Sequence, residues 1–279
     1  MRRTTKVISL LFLGALFTSV ASSEMQFLTI GNPGNAPDTR IMSDGTTNYG
    51  AVSYIYNIAT YEVTNAQWNE FAPGHSSKFL GDTLPVQNVS WNEAAQYCNW
   101  LTTGDKFGGA YVFDQGGSFL KIDREAAMDT YGTIFVLPTE DEWHKAAYSK
   151  DGNAYQAYAT PTDVQPTTTE SNYGKTLLND GPWDATAGVE ELHLTHNMMG
   201  NVWEWTETSI GAYLVLRGGA YDTQEGSHLS ANYRHYIAVP SGEYDNVGFR
   251  IATVAVPEPT CLMLLALGGL ALNRRKRPA

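Results

Sequence analysis

The sequence is organised around one stretch of nine residues, Asn197-Met-Met-Gly-Asn-Val-Trp-Glu-Trp205. Gly200 in its middle allows a tight turn of the backbone, and such a turn can bring the backbone carbonyls near Gly200 and Val202 together. The side-chain oxygens of Asn197 and Glu204 can join them, and an all-oxygen set of ligands selects a hard cation such as calcium. A hydrogen-bonded turn anchored by its tryptophans, without an ion, is the alternative reading of the same residues.

Five further motifs flank this stretch. They are, in chain order, Tyr61-Glu-Val-Thr-Asn65, Pro85-Val-Gln-Asn-Val-Ser-Trp91, Leu137-Pro-Thr-Glu-Asp-Glu-Trp143, Leu216-Arg-Gly-Gly219 and Gly248-Phe-Arg250. With the central stretch, they resemble the formylglycine-generating enzyme family, whose domain is also called the sulfatase-modifying-factor domain. This resemblance implies an α+β, C-type-lectin-like fold with much irregular structure. We expect one such domain over residues 24–254.

Both ends of the chain look like sorting signals. Residues 1–23 have a basic start, a short apolar run and small residues at the end, which is typical of a cleaved secretory signal. Residues 255–279 contain Pro-Glu-Pro, an apolar run from 261 to 272 and an Arg-rich end, and resemble the PEP-CTERM sorting signal. That resemblance implies export, transient membrane association and removal of the tail by an exosortase-type peptidase. We expect the mature protein at the cell surface or in the extracellular matrix, with a permanent membrane anchor as the alternative.

The charge of the mature body excludes some partners. Removing both ends takes away seven basic residues and one acidic residue, which leaves 11 basic against 28 acidic side chains, or a net charge near −17. A domain this acidic repels nucleic acid and anionic lipid surfaces. Excess carboxylates are compatible with bound divalent ions, or they simply keep an exported protein soluble.

The chain contains two cysteines, Cys98 and Cys261. Because Cys261 lies in the sorting tail, we expect no disulfide in the mature body. Cys98 shares an apolar helical face with Trp91 and Leu101, so we assign it a packing role.

Local patterns predict several elements. Residues 26–30 and 52–58 are typical of strands. Three hydroxyl residues have an acid or amide three positions later, as in the capping box that starts a helix. The pairs are Thr64 with Gln67, Ser90 with Glu93, and Thr139 with Glu142.

Residues 102–133 form an insertion where the family has a short link. Within it, 114–117 is a turn sequence between two short strands, 111–113 and 119–122. Residues 122–128 are expected to form one or two helical turns. A lid, a partner surface and mere decoration all stay open as roles for this insertion.

The resemblance also implies a second calcium site. Its ligands in the family include an Asn and the carbonyl of the next residue, which correspond here to Asn172 and Tyr173. The downstream carboxylate corresponds to Asp180, with Asp184 in reserve. Such a site would hold the long irregular segment 155–195, which otherwise lacks regular structure.

Family members that make formylglycine use two cysteines, which bind copper as thiolates, after the Arg-Gly-Gly motif. Thr223 and Ser230 occupy these two positions here. Because hydroxyl groups are poor ligands for copper(I), we expect neither copper nor formylglycine-generating activity.

Six candidate binding residues lie close together in sequence: Asp222, Glu225, His228, Tyr233, Arg234 and His235. His228 and His235, with one carboxylate, would be the minimum set for a non-haem iron site. The related sulfoxide synthases take their iron histidines from an additional helical domain, so we do not expect their role to carry over. Contact of Tyr233 and Arg234 with a peptide or sugar is the other hypothesis.

Two further arginines, Arg217 and Arg250, are expected in buried ion pairs or carbonyl clamps that hold the last strands. Trp143, Trp203 and Trp205 are expected in the core. The leading functional hypothesis is therefore an exported protein that binds a peptide or glycan on a calcium-stabilised scaffold. A metal-dependent oxidoreductase, using iron or copper, and a purely structural surface protein are the alternatives.

Overall fold

The computed structural model describes residues 25–150, 154–174, 181–237 and 239–255, so both predicted sorting signals lie outside the described residues. The helices are α1 (Asn65–Phe71), α2 (Trp91–Thr103), α3 (Arg124–Tyr131) and α4 (Glu140–Tyr148). The strands are β1 (Phe27–Ile30), β2 (Tyr56–Ala59), β3 (Tyr111–Phe113), β4 (Phe119–Ile122), β5 (Thr133–Val136), β6 (Trp203–Ile210), β7 (Tyr213–Arg217), β8 (His235–Ile237), β9 (Val247–Gly248) and β10 (Ala252–Ala255). None of the described helices is long and apolar enough to cross a membrane.

The first sheet joins the two ends of the domain. Its strand order is β1-β2-β10-β5, and Ala252 of β10 pairs with Ile58 on one side and Val136 on the other. The prediction of a strand at 26–30 is confirmed by β1. The prediction at 52–58 is wrong for its first half, because the amide of Val52 bonds to the Asn35 side chain rather than to a neighbouring strand.

The second sheet carries the central stretch into the core. Its order is β8-β7-β6-β9, with β6 antiparallel to β7 and parallel to β9. Trp203 and Trp205 lie on β6 and are both buried. The core position predicted for them and for Trp143 is confirmed.

All three predicted capping boxes are present. The side chains of Thr64, Ser90 and Thr139 each accept a hydrogen bond from the backbone amide of the third helical residue. The side chain of that third residue in turn accepts a hydrogen bond from the backbone amide of the cap. Cys98 is buried in α2, and burial raises its pKa well above the ordinary value. The packing role assigned to this cysteine is confirmed, because a protonated buried thiol is unreactive.

The insertion is anchored to the core by Arg124. The predicted hairpin is confirmed by β3 and β4, and α3 begins two residues later than expected because Asp123 caps it. The Arg124 guanidinium contacts Glu142 of α4 at 2.8 Å and Glu207 of β6 at 2.9 Å. These buried contacts make the insertion part of the packed domain rather than a detached lid.

Candidate functional site

The central stretch forms the tight turn that the glycine predicted. Gly200 has a φ of 87°, and Asn197 and Asn201 are also left-handed. The Gly200 amide donates to the carbonyl of Gly218 at 2.8 Å. A Cβ at Gly200 would stand 2.5 Å from the carbonyl oxygen of Asn172, so only glycine allows these two segments to meet.

Glu62 lies at the centre of this turn and was not identified as a site residue from the sequence. Its carboxylate accepts bonds from the Asn201 side chain at 2.6 Å, the Asn197 side chain at 3.3 Å and the Val202 amide at 3.2 Å. Glu62 belongs to the motif Tyr61–Asn65, so the family resemblance pointed to this segment but not to its contact with the turn. The long-range contact that gives it a role is visible only in three dimensions.

Glu204 has protein partners on both oxygens. It accepts from the Trp143 indole at 2.7 Å and forms an ion pair with Arg250 at 2.7 Å. Arg250 also donates to the carbonyls of Ala59 and Thr60, each at 3.1 Å. The ion pair and carbonyl clamp predicted for Arg250 are confirmed. Glu204 was expected to be a calcium ligand, whereas in the structure its carboxylate is paired with Arg250.

Around the turn, buried carboxyl groups outnumber buried basic groups among the residues that the structure describes. Glu62, Glu191 and Glu204 are all buried, and Arg250 is the cation that faces them. Burial raises the pKa of Glu62, and the neighbouring Glu204 carboxylate raises it further. Burial also raises the pKa of Glu191 to about 8, although Arg250 lowers it. A divalent cation would stabilise the ionised forms of these carboxyl groups, and their oxygens are of the kind that calcium binds.

The expected second calcium site is described only in part. Asn172 is buried, and its carboxamide oxygen has no hydrogen-bond partner in the described part of the chain. This unpaired acceptor suits a cation, as does the adjacent carbonyl of Tyr173. Asp180 lies outside the described residues, and Asp184 accepts a bond from the Thr83 hydroxyl at 2.5 Å.

Arg217 is a buried clamp, as predicted. It donates to the carbonyl of Ala231 at 2.9 Å and to Nδ1 of His144 at 2.8 Å. His144 Nε2 lies 3.1 Å from Asp38. Burial, together with the nearby Arg217 charge, lowers the pKa of His144 to about 4, although its bond to Asp38 raises it. A neutral imidazole therefore donates to Asp38 and accepts from Arg217.

Thr223 and Ser230 each close a local turn. Thr223 Oγ1 accepts from the Ala220 amide at 2.9 Å, and Ser230 Oγ donates to the side chain of Asn232 at 2.5 Å. Both residues are 7% exposed, with the short 3₁₀ helix Gly226–Leu229 between them. Their hydroxyls are therefore engaged within the protein.

Three of the six candidate binding residues gather around Trp203. The His228 and Tyr233 rings stack with centroids 3.9 Å apart, and Tyr233 lies 6.0 Å from Trp203. The ring centroid of His235 lies 5.2 Å from that of Trp203, so all four rings form one cluster. We call His228, Tyr233, His235 and Trp203 the aromatic patch. Burial lowers the pKa of His235, with a smaller contribution from His228.

The other three candidates are placed differently. Glu225 lies at the rim of the patch, 3.9 Å from His228. Asp222 accepts a bond from Asn246 at 3.1 Å. Arg234 is 5% exposed, bonds to Glu140 and Asp44 at 2.7 Å each, and its guanidinium lies over the Tyr49 ring. Ligand contact by Arg234 is therefore not supported, because its guanidinium is buried and already paired.

The described residues do not assemble the iron triad. Nowhere in the described ranges do three His, Cys, Asp or Glu side chains form a group that could hold a metal ion. His228 instead stacks its ring on Tyr233. The calcium sites expected from the sequence are not covered by this finding, because their ligands include backbone and amide oxygens.

The chain matches two known family models. Residues 44–255 match the sulfatase-modifying factor enzyme 1-like domain, and the chain belongs to that family. Residues 255–277 match the PEP-CTERM protein-sorting motif. Both resemblances predicted from the sequence are confirmed. The sorting motif implies export, sorting to the membrane or surface, and exosortase-type processing at the C-terminus.

The proteins that are similar to this chain are named for different activities. An inactive C-alpha-formylglycine-generating enzyme 2 of Bos taurus is 31% identical over 63% of this chain and 52% of its own length. A hercynine oxygenase of Mycobacterium tuberculosis is 27% identical over 58% of this chain and 35% of its own length. The match thus spans about half of the length of the first of these relatives.

The fold is shared with solved structures. Treponema denticola variable protein 1 superimposes with a TM-score of 0.66 at 22% identity, over 85% of this chain and 97% of that one. The α+β, C-type-lectin-like fold of the formylglycine-generating type is confirmed.

Proposed function

We propose that this exported protein binds a peptide or glycan at the aromatic patch and does not oxidise cysteine to formylglycine. The observation that carries the proposal is the position of this patch. His228 lies between Thr223 and Ser230, and Tyr233 and His235 follow shortly after Ser230, the positions where the redox cysteines of the family would stand. A partly exposed aromatic surface thus stands in the segment of the chain where the family would have its sulfur chemistry.

The patch has the chemistry of a recognition surface. Aromatic faces stack on sugar rings and on peptide side chains and bury a large apolar area. Its rim contains an acceptor in Glu225 and a partly exposed imidazole in His228, whose side chain is 31% exposed. These polar groups would orient a ligand that the rings hold.

Calcium is the ion we propose for the scaffold. The carbonyls of Gly200 and Val202 and the side chain of Asn197 would hold it, and Glu62 adds a carboxylate among these residues. Asn172 and Tyr173 would hold a second ion. The excess of buried carboxylates and the unpaired oxygen of Asn172 support this proposal.

Two experiments test the proposal. First, a thiol peptide derived from a sulfatase is incubated with the protein, copper and oxygen, and analysed by mass spectrometry. We expect an unchanged peptide, whereas a formylglycine product would refute the proposal. A catalytically competent family member provides the positive control.

Second, peptide and glycan arrays are probed with the protein and two variants. Tyr233→Ala should lose binding because it removes the centre of the stack. Tyr236→Ala should keep it, since Tyr236 is exposed but packs on Tyr213 outside the patch. Equal binding by both variants would place the ligand elsewhere.

A metal-dependent oxidoreductase is the second candidate, and the hercynine oxygenase relative is the observation that favours it. Metal analysis of the purified protein separates the two hypotheses. Stoichiometric iron or copper that is lost in His228→Ala would support the oxidoreductase. Calcium as the bound metal would support the binding protein.

A further inference from the structure

The structure also contains a cavity that lies outside the aromatic patch. It has a volume of about 250 Å³ and lies beside the end of β1 and the C-terminal end of α4. Its main polar side chains are Asn35, Lys145, Ser149, Lys150, Tyr155 and His193. None of its lining residues belongs to the segment 222–235, so the cavity is independent of the proposed ligand site.

The wall of this cavity contains a buried amine that forms no ion pair with any residue described by the structure. Lys145 is 2% exposed, and its ammonium donates to the Asn32 carbonyl at 2.9 Å. The Tyr56 ring lies 6.0 Å away. Among the residues that the structure describes, no carboxylate oxygen lies within 4.0 Å of this ammonium. Burial lowers the pKa of Lys145.

An unpaired buried charge is costly, and a protein usually offsets the cost with an opposite charge. A lysine ammonium has three donors, and the Asn32 carbonyl takes one of them. A neutral side chain could make that single bond equally well. A negatively charged group in the cavity would offset the cost of burying the charge of Lys145.

The rest of the lining favours the same kind of ligand. Among the described residues that line the cavity none is acidic, although the chain as a whole has 29 acidic and 18 basic residues. The exposed Lys150 adds a second positive charge to the wall. Ser149 Oγ and His193 Nε2, 3.0 Å apart, offer hydrogen-bonding groups on another side. Ile30 and Ala154 supply apolar wall for a small carbon skeleton.

We propose that this cavity binds a small organic anion of monosaccharide size or less, with its carboxylate or phosphate group on Lys145. The volume is below the roughly 300 to 1,000 Å³ of pockets for drug-sized ligands, which limits the ligand to this size. Hydroxyl groups of the ligand would meet the polar side chains Asn35, Ser149 and Tyr155.

The test uses the exported domain at neutral pH in low-salt buffer, with glucuronate, inorganic phosphate and neutral glucose as probes. Calorimetry and thermal unfolding are measured for each probe. We expect glucuronate or phosphate to bind and raise the Tm, and glucose to do neither. Preference for glucuronate identifies a carboxylate ligand, and preference for phosphate identifies a phosphorylated one. Binding of neither anion overturns the proposal.

Three variants locate the binding. Lys145→Met should weaken anion binding at least tenfold while leaving the Tm in anion-free buffer nearly unchanged, because it removes an unpaired charge. Lys106→Met, in the insertion, is the matched control and should bind like the wild type. Ala154→Trp adds bulk at an exposed lining position and leaves the Lys145 residue unchanged, so it should weaken binding even if Lys145→Met does not fold. Undiminished anion binding in Lys145→Met or in Ala154→Trp overturns the proposal.

Discussion

At the scale of single residues, a few buried ionic groups hold the site together. Arg250 pairs with Glu204 and also faces Glu62 and Glu191, so it is the counter-charge of three buried carboxylates. Removing one partner of a buried pair costs far more than the pair itself contributes, because the remaining charge stays buried. Arg250 should therefore be among the least replaceable residues of the domain.

Arg250→Met should lower the free energy of unfolding by about 3 to 5 kcal/mol, since it leaves the glutamates unpaired. Urea denaturation measures this loss. The matched control is Lys78→Met, which breaks an exposed pair with Asp245 and should cost about 0 to 1 kcal/mol. Similar losses in the two variants would contradict the role assigned to Arg250.

At the scale of elements, the turn around Gly200 joins two irregular segments. Its left-handed backbone lets the segment at Asn172 come within hydrogen-bonding distance, and the Asn201 amide donates to the Asn172 carbonyl at 2.8 Å. Both proposed calcium sites draw ligands from these two segments. The turn therefore determines whether the two sites can form together.

Gly200→Ala should destabilise the protein by about 3 kcal/mol, because it combines a left-handed alanine with a collision against Asn172. Thermal or urea unfolding provides the measurement. Gly211→Ala is the control, since Gly211 is also left-handed but has no atom within 4 Å of the added Cβ. It should cost only about 1 kcal/mol. Equal losses of stability in the two variants would show that the structure relieves the contact between the added Cβ and Asn172.

At the scale of the whole molecule, stability should depend on pH and calcium together. The pKa of Glu62 is raised, and that of Glu191 is raised to about 8. As pH rises above the ordinary carboxyl pKa, the unfolded chain loses these protons before the folded one, so the folded state loses stability. The loss should continue up to about pH 8, through the raised pKa of Glu191.

Calcium should oppose this loss, because it binds the ionised carboxylates. We expect the Tm difference between calcium and chelator to be larger at pH 8 than at pH 5. At a concentration 100 times its Kd, calcium would contribute about 2.7 kcal/mol. Glu62→Gln should reduce the effect, while Glu125→Gln, in the insertion, should leave it unchanged. Identical melting with calcium and chelator at both pH values would refute the calcium proposal.

Much of the fold was predictable because its signals are local. The capping boxes at Thr64, Ser90 and Thr139 act within four residues, and the hairpin of the insertion depends on one short turn. The strand expected at 52–58 was half wrong, because tertiary contacts with Asn35 override the strand propensity of its first residues.

The site was predictable only in part, because side chains from distant segments complete it. The sequence placed His228, Tyr233 and His235 near one another, and the fold stacked them around Trp203. It could not show that Arg234 turns inward to Glu140.

The amino-acid sequence alone determined the family, the C-terminal sorting motif and the absence of cysteines where the family places its redox pair, because each is written in contiguous residues. Only the tertiary structure decided that Glu62 joins the central turn, that one arginine faces three buried glutamates, and that Lys145 lines a cavity with no acidic partner among the described residues. The physical reason is that burial and pairing depend on contacts across more than a hundred residues, such as the bond between Glu62 and Asn201.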